Sequence, residues 1–389
     1  MYVDYTEDQK NLRKELRDYF SGLITPEIRD AVRGKESGEL FNRLIRQMGE
    51  DGWLAIGWPK EYGGQGRDTL EQMTFFEEAL LANAPLPFIA LNTVGPALME
   101  HGSEKHKALF LPGIARGELH FAIGYTEPSS GTDLASLVTT AVKEGEEWVI
   151  NGTKVFTSGA EGADYIWLAA RTDSEAPKHK GITLFIVDTK AEGFSHAPIH
   201  TVGTYQTNMT YYDNVRVHES MVVGKVNQGW QLMTAQLNHE RVGLAAWGIQ
   251  GWKLYQRCLD WAREPRAHGR RAIDDSWVQN NLAEAYVRLE AMRLMNARLA
   301  WELDQKRLDP ALASAMKVYS TEGLIEVCRL LMEVIGPESL VRAGSEAAAL
   351  QGDLEHQYRL CQINTFGGGV NEVQRGIVAN FGLNMPRHR

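Results

Sequence analysis

The run EWVINGTKVFTSG, residues 147–159, decides how the rest of the chain divides. Trp148, Val149 and Ile150 favour a strand, and Val155 and Phe156 resume the same preference. Between them stands Asn151-Gly152, the strongest short-range turn dipeptide, so the stretch predicts a hairpin turning at Asn151-Gly152. YIWLAAR (165–171) and GITLFIVDT (181–189) continue as β-rich runs separated by polar loops. A compact β-domain therefore spans residues 121–228.

On either side the period changes from two to 3.6. Residues 1–120 read as helical. Thr6 and Gln9 have capping-box spacing, with Leu12, Leu16, Tyr19 and Phe20 following on one helical face. A second helix carries Leu40, Phe41, Leu44, Ile45 and Met48. GWPKEYGGQG (57–66) then breaks the pattern before helices from Thr69 and Thr93. After the β-domain, residues 229–389 are helical again. Residues 230–262 can form one helix of about 30 residues, and long helices follow from Ser276 and Pro310. No internal repeat of 20–50 residues is evident, which favours a bundle over a solenoid. The fold class is α+β: helices, a β-domain, and a helical bundle.

Bulk properties exclude several functions. The 389 residues suffice for two or three domains with a large core. Net charge is −9 and no dense basic segment exists, which argues against nucleic acid as a partner. The cluster HGRRAIDD (268–275) is cancelled by its own aspartates. The polar, acidic N-terminus is no signal peptide, and no window nears the ~18 apolar residues of a membrane span. Cys258, Cys328 and Cys361 are odd in number and widely spaced, the pattern of reduced structural thiols in a cytoplasmic protein. His101 and His106 miss the i, i+4 pair by one residue, so no metal site is expected. His239 is read as a packing or surface residue.

The chemistry-bearing segment is GYTEPSSGTDLASL (124–137), dense in hydroxyls and backbone donors at Thr126, Ser129, Ser130, Gly131 and Thr132. Such a loop can hydrogen-bond a phosphate or a polar heterocycle, but composition alone favours a run of hydroxyl-stabilised turns. A second segment, TFGGGVNEVQRG (365–376), has three glycines before an amphipathic run. No Lys-Ser/Thr follows the glycines, which excludes a P-loop nucleotide hydrolase.

PKEYGGQG, YTEPSSGTD and GTKVFTSGAEGADYIWLAAR occur in this order within a helical–β–helical chain, and together they resemble the acyl-CoA dehydrogenase family over essentially the whole length. The resemblance implies an N-terminal helical domain, a central β-barrel-like domain and a C-terminal four-helix bundle used for assembly. It implies FAD as cofactor, an acyl-CoA thioester as substrate, and an electron-transfer flavoprotein as acceptor. A base removes the α-proton of the thioester while the flavin takes the β-hydrogen with its electrons. Preorganised donors meet the charge that develops on the thioester oxygen.

Matched onto this sequence, the resemblance places flavin contacts at Tyr125, Thr126, Gly131, Thr132, Phe156, Thr157 and Ser158. Thr126 would meet the pyrimidine edge of the ring, Ser158 its N5, and Phe156 would pack against it. Thr132 would also contact the coenzyme A portion of the substrate. The family's usual base position, a glutamate in the last loop, falls at Gly368. Glu372 lies four residues further on, at a position that usually supplies a flavin-contacting glutamine. A minority of relatives carry the base on the long helix after the β-domain, at the position of Glu240 in LNHERVGL (237–244). Glu240 is therefore the expected base, with Asn238 and Arg241 as substrate contacts.

Two adenosine-side motifs depart from the family. REPRAHGRRAIDD (263–275) lacks the usual aromatic, and MEVIGPESL (332–340) keeps one glycine of a cluster. That asymmetry resembles the flavin-ring subunit of heterotetrameric (α2β2) bacterial steroid side-chain acyl-CoA dehydrogenases. An unlike subunit would then complete the adenosine site, and the substrate would be a steroid-CoA with a shortened side chain. The alternatives are a self-sufficient homotetramer acting on branched or bulky acyl-CoA, with FAD held by Arg263 or Arg266, and a non-catalytic scaffold subunit. The intact flavin-ring motif and Glu240 argue against the scaffold.

Overall fold

A computed structural model describes residues 4–386 except 204, 237–247, 266–268, 306 and 308. Contacts divide the chain into two units: residues 1–75 with 82–240, and 76–81 with 241–389.

The first unit combines the N-terminal helices with one eight-stranded sheet. Helix Glu7–Leu23 begins at Thr6, whose side chain accepts from Gln9 N while the Gln9 side chain returns to the Thr6 backbone. This satisfies two donors that a helix start otherwise leaves open. Leu12, Leu16 and Phe20 line its buried face, and Leu44, Ile45 and Met48 do the same for helix Glu39–Glu50. Helix Glu104–Ala115 joins these helices to the sheet. Phe110 packs edge-on against Phe121 and Tyr165, with ring centroids 5.7 and 5.2 Å apart. That aromatic seam is why helices and sheet cluster as one body.

The strands are β1 (Phe121–Gly124), β2 (Thr140–Glu144), β3 (Glu147–Lys154), β4 (Tyr165–Arg171), β5 (Ile182–Asp188), β6 (Phe194–His200), β7 (Gln206–His218) and β8 (Val222–Val223). Their order is β6-β7-β3-β2-β4-β5-β8, with β1 parallel to β4. The expected hairpin turn at Asn151-Gly152 is not a turn. β3 runs straight through it, and the pair forms an irregularity in the β3–β7 ladder between Ile150 and Gly152. Asn151 Oδ1 accepts from Asn214 N at 2.9 Å, so its polar side chain is spent across the sheet. A Cβ at Gly152 would lie 2.4 Å from Thr139 Oγ1, so the glycine serves a close approach between strands. The actual β2–β3 turn is Gly145-Glu146, with Gly145 at φ +65°.

In the second unit, helices Ile249–Arg263, Ser276–Asp304, Pro310–Ile335 and Asp353–Cys361 share one core containing Leu254, Leu282, Leu289, Val327, Leu331 and Leu354. The helix starts at Ser276 and Pro310 fall where the sequence places them. Residues 229–236 are helical and a helix resumes at Ile249, but the single helix expected over 230–262 crosses residues outside the described ones. The three cysteines are buried and unpaired. No described helix is long and apolar enough to cross a membrane.

Candidate active site

Thr126 sits in an irregular loop between β1 and the short turn Leu134–Ser136. The loop is closed on itself by Glu127 N to Ser130 O (2.9 Å) and Ser130 N to Glu127 O (3.1 Å), and Ser130 Oγ donates to Asp133 O at 2.8 Å. Gly131 and Thr132 stand exposed at its tip, and Thr126 is half-buried. Tyr125 faces inward. Trp167 Nε1 donates to its hydroxyl at 3.0 Å, and the hydroxyl donates to Gln236 Oε1 at 2.6 Å. Gln236 Nε2 is buried with no partner among the described residues.

The end of β3 supplies the other half. Phe156 has φ +61°, which an aromatic L-residue rarely adopts, and it is 61% exposed. Burial does not repay that strain, so the ring is presented for something else to cover. This fits a large flat heterocycle such as the flavin ring. Ser158 is also exposed, its hydroxyl donating to Thr207 Oγ1 at 3.1 Å. Thr157 points the other way. It is wholly buried, its N–H donates to Asn208 O at 2.9 Å, and its hydroxyl meets that of Thr210 at 3.2 Å. Of the expected cofactor residues, Thr157 and the Tyr125 hydroxyl are thus committed inside the protein, while Thr126, Gly131, Thr132, Phe156 and Ser158 are accessible.

Glu36 supports this loop from the N-terminal helices. Its carboxyl receives the Gly159 N–H and is pushed up to about 7, by burial first and by the nearby Glu161 carboxylate second. Native protein therefore holds this proton more tightly than the unfolded chain, whose value is near 4.5. Stability falls as pH rises through that window and stays lowered above it. Glu36→Gln is expected to raise Tm by about 2–4 °C at slightly alkaline pH and to change nothing near pH 4. Thermal melts at the two pH values check this.

In the bundle, the triple-glycine loop holds no carboxylate at Gly368, which has φ +66°, while Gly369 has φ +91°. A side chain at either place is strained. Glu372 lies exposed in the first turn of helix Asn371–Ile377. Lys317, buried on helix Pro310–Ile335, was not expected from sequence. Its Nζ donates to Thr365 O (3.1 Å), Gly369 O (2.8 Å) and Asn371 Oδ1 (2.7 Å). The buried Lys154 and Glu127 were likewise missed, though both lie inside the motifs quoted above. Glu240, Asn238 and Arg241 lie outside the described residues.

Family models match the chain in three consecutive pieces: the acyl-CoA dehydrogenase N-terminal domain over residues 6–118, the middle domain over 122–215 and the C-terminal domain over 227–383. The acyl-CoA dehydrogenase FadE26 of Mycobacterium tuberculosis is 47% identical over 402 residues, covering 100% of this chain and 99% of FadE26. Among solved structures, the Tcur3481–Tcur3483 steroid ACAD matches with TM-score 0.95 and 50% identity, all of both chains being covered. The ChsE4–ChsE5 complex from Mycobacterium tuberculosis matches with TM-score 0.94 and 48% identity, again over 100% of both chains.

Proposed function

Since the chain belongs to the acyl-CoA dehydrogenase family, whose members are FAD-dependent flavoproteins, and is an acyl-CoA dehydrogenase, we propose that it acts on a steroid-CoA with a shortened side chain, as the flavin-ring and base subunit of an α2β2 heterotetramer. The observation that carries this reading is the end-to-end likeness, at 50% identity, to a steroid ACAD with two named components. The degraded adenosine-side motifs at 263–275 and 332–340 and the vacated base position at Gly368 support it. So does the outer face of helix Ser276–Asp304, where Val287, Leu294 and Trp301 recur every seventh residue at 63%, 40% and 57% exposure. An exposed apolar row of that period suits a helix of another subunit.

In this reading Glu240 takes the α-proton of the thioester, and Asn238 and Arg241 hold the substrate beside it. Thr126 and Ser158 fix the edge of the flavin ring, Phe156 covers part of its face, and Gly131 and Thr132 meet the cofactor or the coenzyme A chain. The flavin, when bound, supplies the two-electron acceptor chemistry. An electron-transfer flavoprotein is the expected next acceptor. Glycine in place of glutamate at 368 leaves room for a rigid ring system.

Flavin content tests the split site. Purified alone, the chain is expected to carry far less than one FAD per copy, and co-expression with the neighbouring dehydrogenase-family subunit is expected to restore one. Full occupancy in the protein expressed alone would overturn the two-subunit proposal and favour a homotetramer. Turnover of steroid-CoA against straight-chain acyl-CoA thioesters tests the substrate. Faster turnover of a straight-chain thioester would remove the steroid assignment.

A further inference from the structure

Three contacts converge on the peptide around Thr126. Lys154 Nζ donates to Tyr125 O at 3.0 Å and to Glu127 Oε1 at 2.8 Å, so one ammonium grips the residue on each side of Thr126. Val155 N then donates to Thr126 O itself at 2.8 Å. The Glu127 carboxylate extends the grip to the start of β2, accepting from Val138 N at 2.6 Å and Thr139 N at 2.8 Å. Both side chains are out of water, at 0% and 1% exposure.

Stability alone is a weak reason for such a pair. Removing both charges from water offsets most of their attraction, and an apolar pair of equal volume often serves the fold as well. An apolar pair cannot, however, hold a carbonyl and two peptide N–H groups in set directions. We propose that Glu127 and Lys154 are positioning residues for the flavin ring, their buried ion pair setting where Thr126 is presented. The inference rests on the flavin-site reading given above. Burial draws the Lys154 ammonium down to about 8, with Glu127 opposing the shift and Arg171 adding to it; these are the charged groups facing it. Burial also works against the Glu127 charge, but Lys154 and the two peptide N–H groups outweigh it and hold that carboxyl below its ordinary value. Loss of the Lys154 proton strips the cation from both flanks of Thr126 at once.

The test uses the assembled, FAD-containing enzyme and compares Lys154→Met, Glu127→Gln and the double variant. Flavin affinity, the visible flavin band and the midpoint potential are measured beside Tm and circular dichroism. Each single variant is expected to bind FAD at least about tenfold more weakly and to shift the band. The double variant, free of an unpaired buried charge, is expected to regain Tm without regaining flavin affinity or band position. In the unmodified enzyme, the band should change with a midpoint near 8 in a titration from about pH 6 to 10. A double variant with wild-type affinity, band and potential would overturn the inference. If Lys154→Met fails to fold, Lys154→Arg, which keeps the cation but changes where its donors reach, takes its place, and wild-type affinity, band and potential in that variant overturn the inference. Wild-type assembly without flavin would instead overturn the functional reading, before any variant is compared.

Discussion

Glu240→Gln in the assembled enzyme is expected to lower the rate of flavin bleaching by acyl-CoA about 10³-fold while FAD stays bound. Glutamine keeps the shape and the polar end of glutamate but cannot accept the α-proton. That proton is poorly acidic, so its removal needs a carboxylate placed at the carbon, whatever backbone position the carboxylate comes from. The competing carboxylate is Glu372, and its surroundings argue against it. It is exposed at the start of its helix, four residues beyond Gly368. Glu372→Gln is accordingly expected to alter turnover no more than a few-fold. Rapid-mixing absorbance on both variants, with flavin content as control, separates the two. Near wild-type bleaching in Glu240→Gln would remove it as the base.

Lys317→Met is expected to lower stability by about 2–3 kcal/mol, and to speed amide exchange in residues 365–371 above all. The ammonium is the shared donor to two carbonyls and one side-chain amide of that loop. Methionine fills a similar volume and donates nothing. Asn371 would keep its bonds to Thr321 and Glu322, at 3.1 and 2.9 Å, and Gln374 its bond to Gly368 O at 3.1 Å. The loss should therefore loosen the loop without unfolding the bundle. Thermal melts together with hydrogen exchange across 362–377 check this. Unchanged exchange there would show that the glycine loop does not depend on Lys317.

Local signals in the sequence decide the structure where the neighbours in sequence are also the partners in space. The Thr6 cap, the buried face of helix Glu39–Glu50 and the starts at Ser276 and Pro310 are of this kind, since a helix is built from contacts three and four residues apart. Asn151-Gly152 shows the limit. Its turn preference is genuine, but the pair lies inside a ladder against β7, with Asn214 waiting for the Asn151 side chain and Thr139 close to Gly152. Cross-strand pairing over more than 60 residues outweighed a two-residue preference.

The candidate site divides along the same line. Motif order alone identified the family and singled out Phe156, Ser158 and Gly368, because each belongs to a short contiguous stretch, and the structure leaves Phe156 and Ser158 exposed. Only the tertiary structure revealed that Thr157 and the Tyr125 hydroxyl face the interior, since which side of a strand or loop is wet depends on what covers the other. Glu127 with Lys154 and Lys317 with Gly369 are separated by 27 and 52 residues. In the sequence each is an ordinary charged residue. Folding takes them out of water, and a buried charge must then be matched by named partners, which is how each of these residues comes to hold the loop of its own unit.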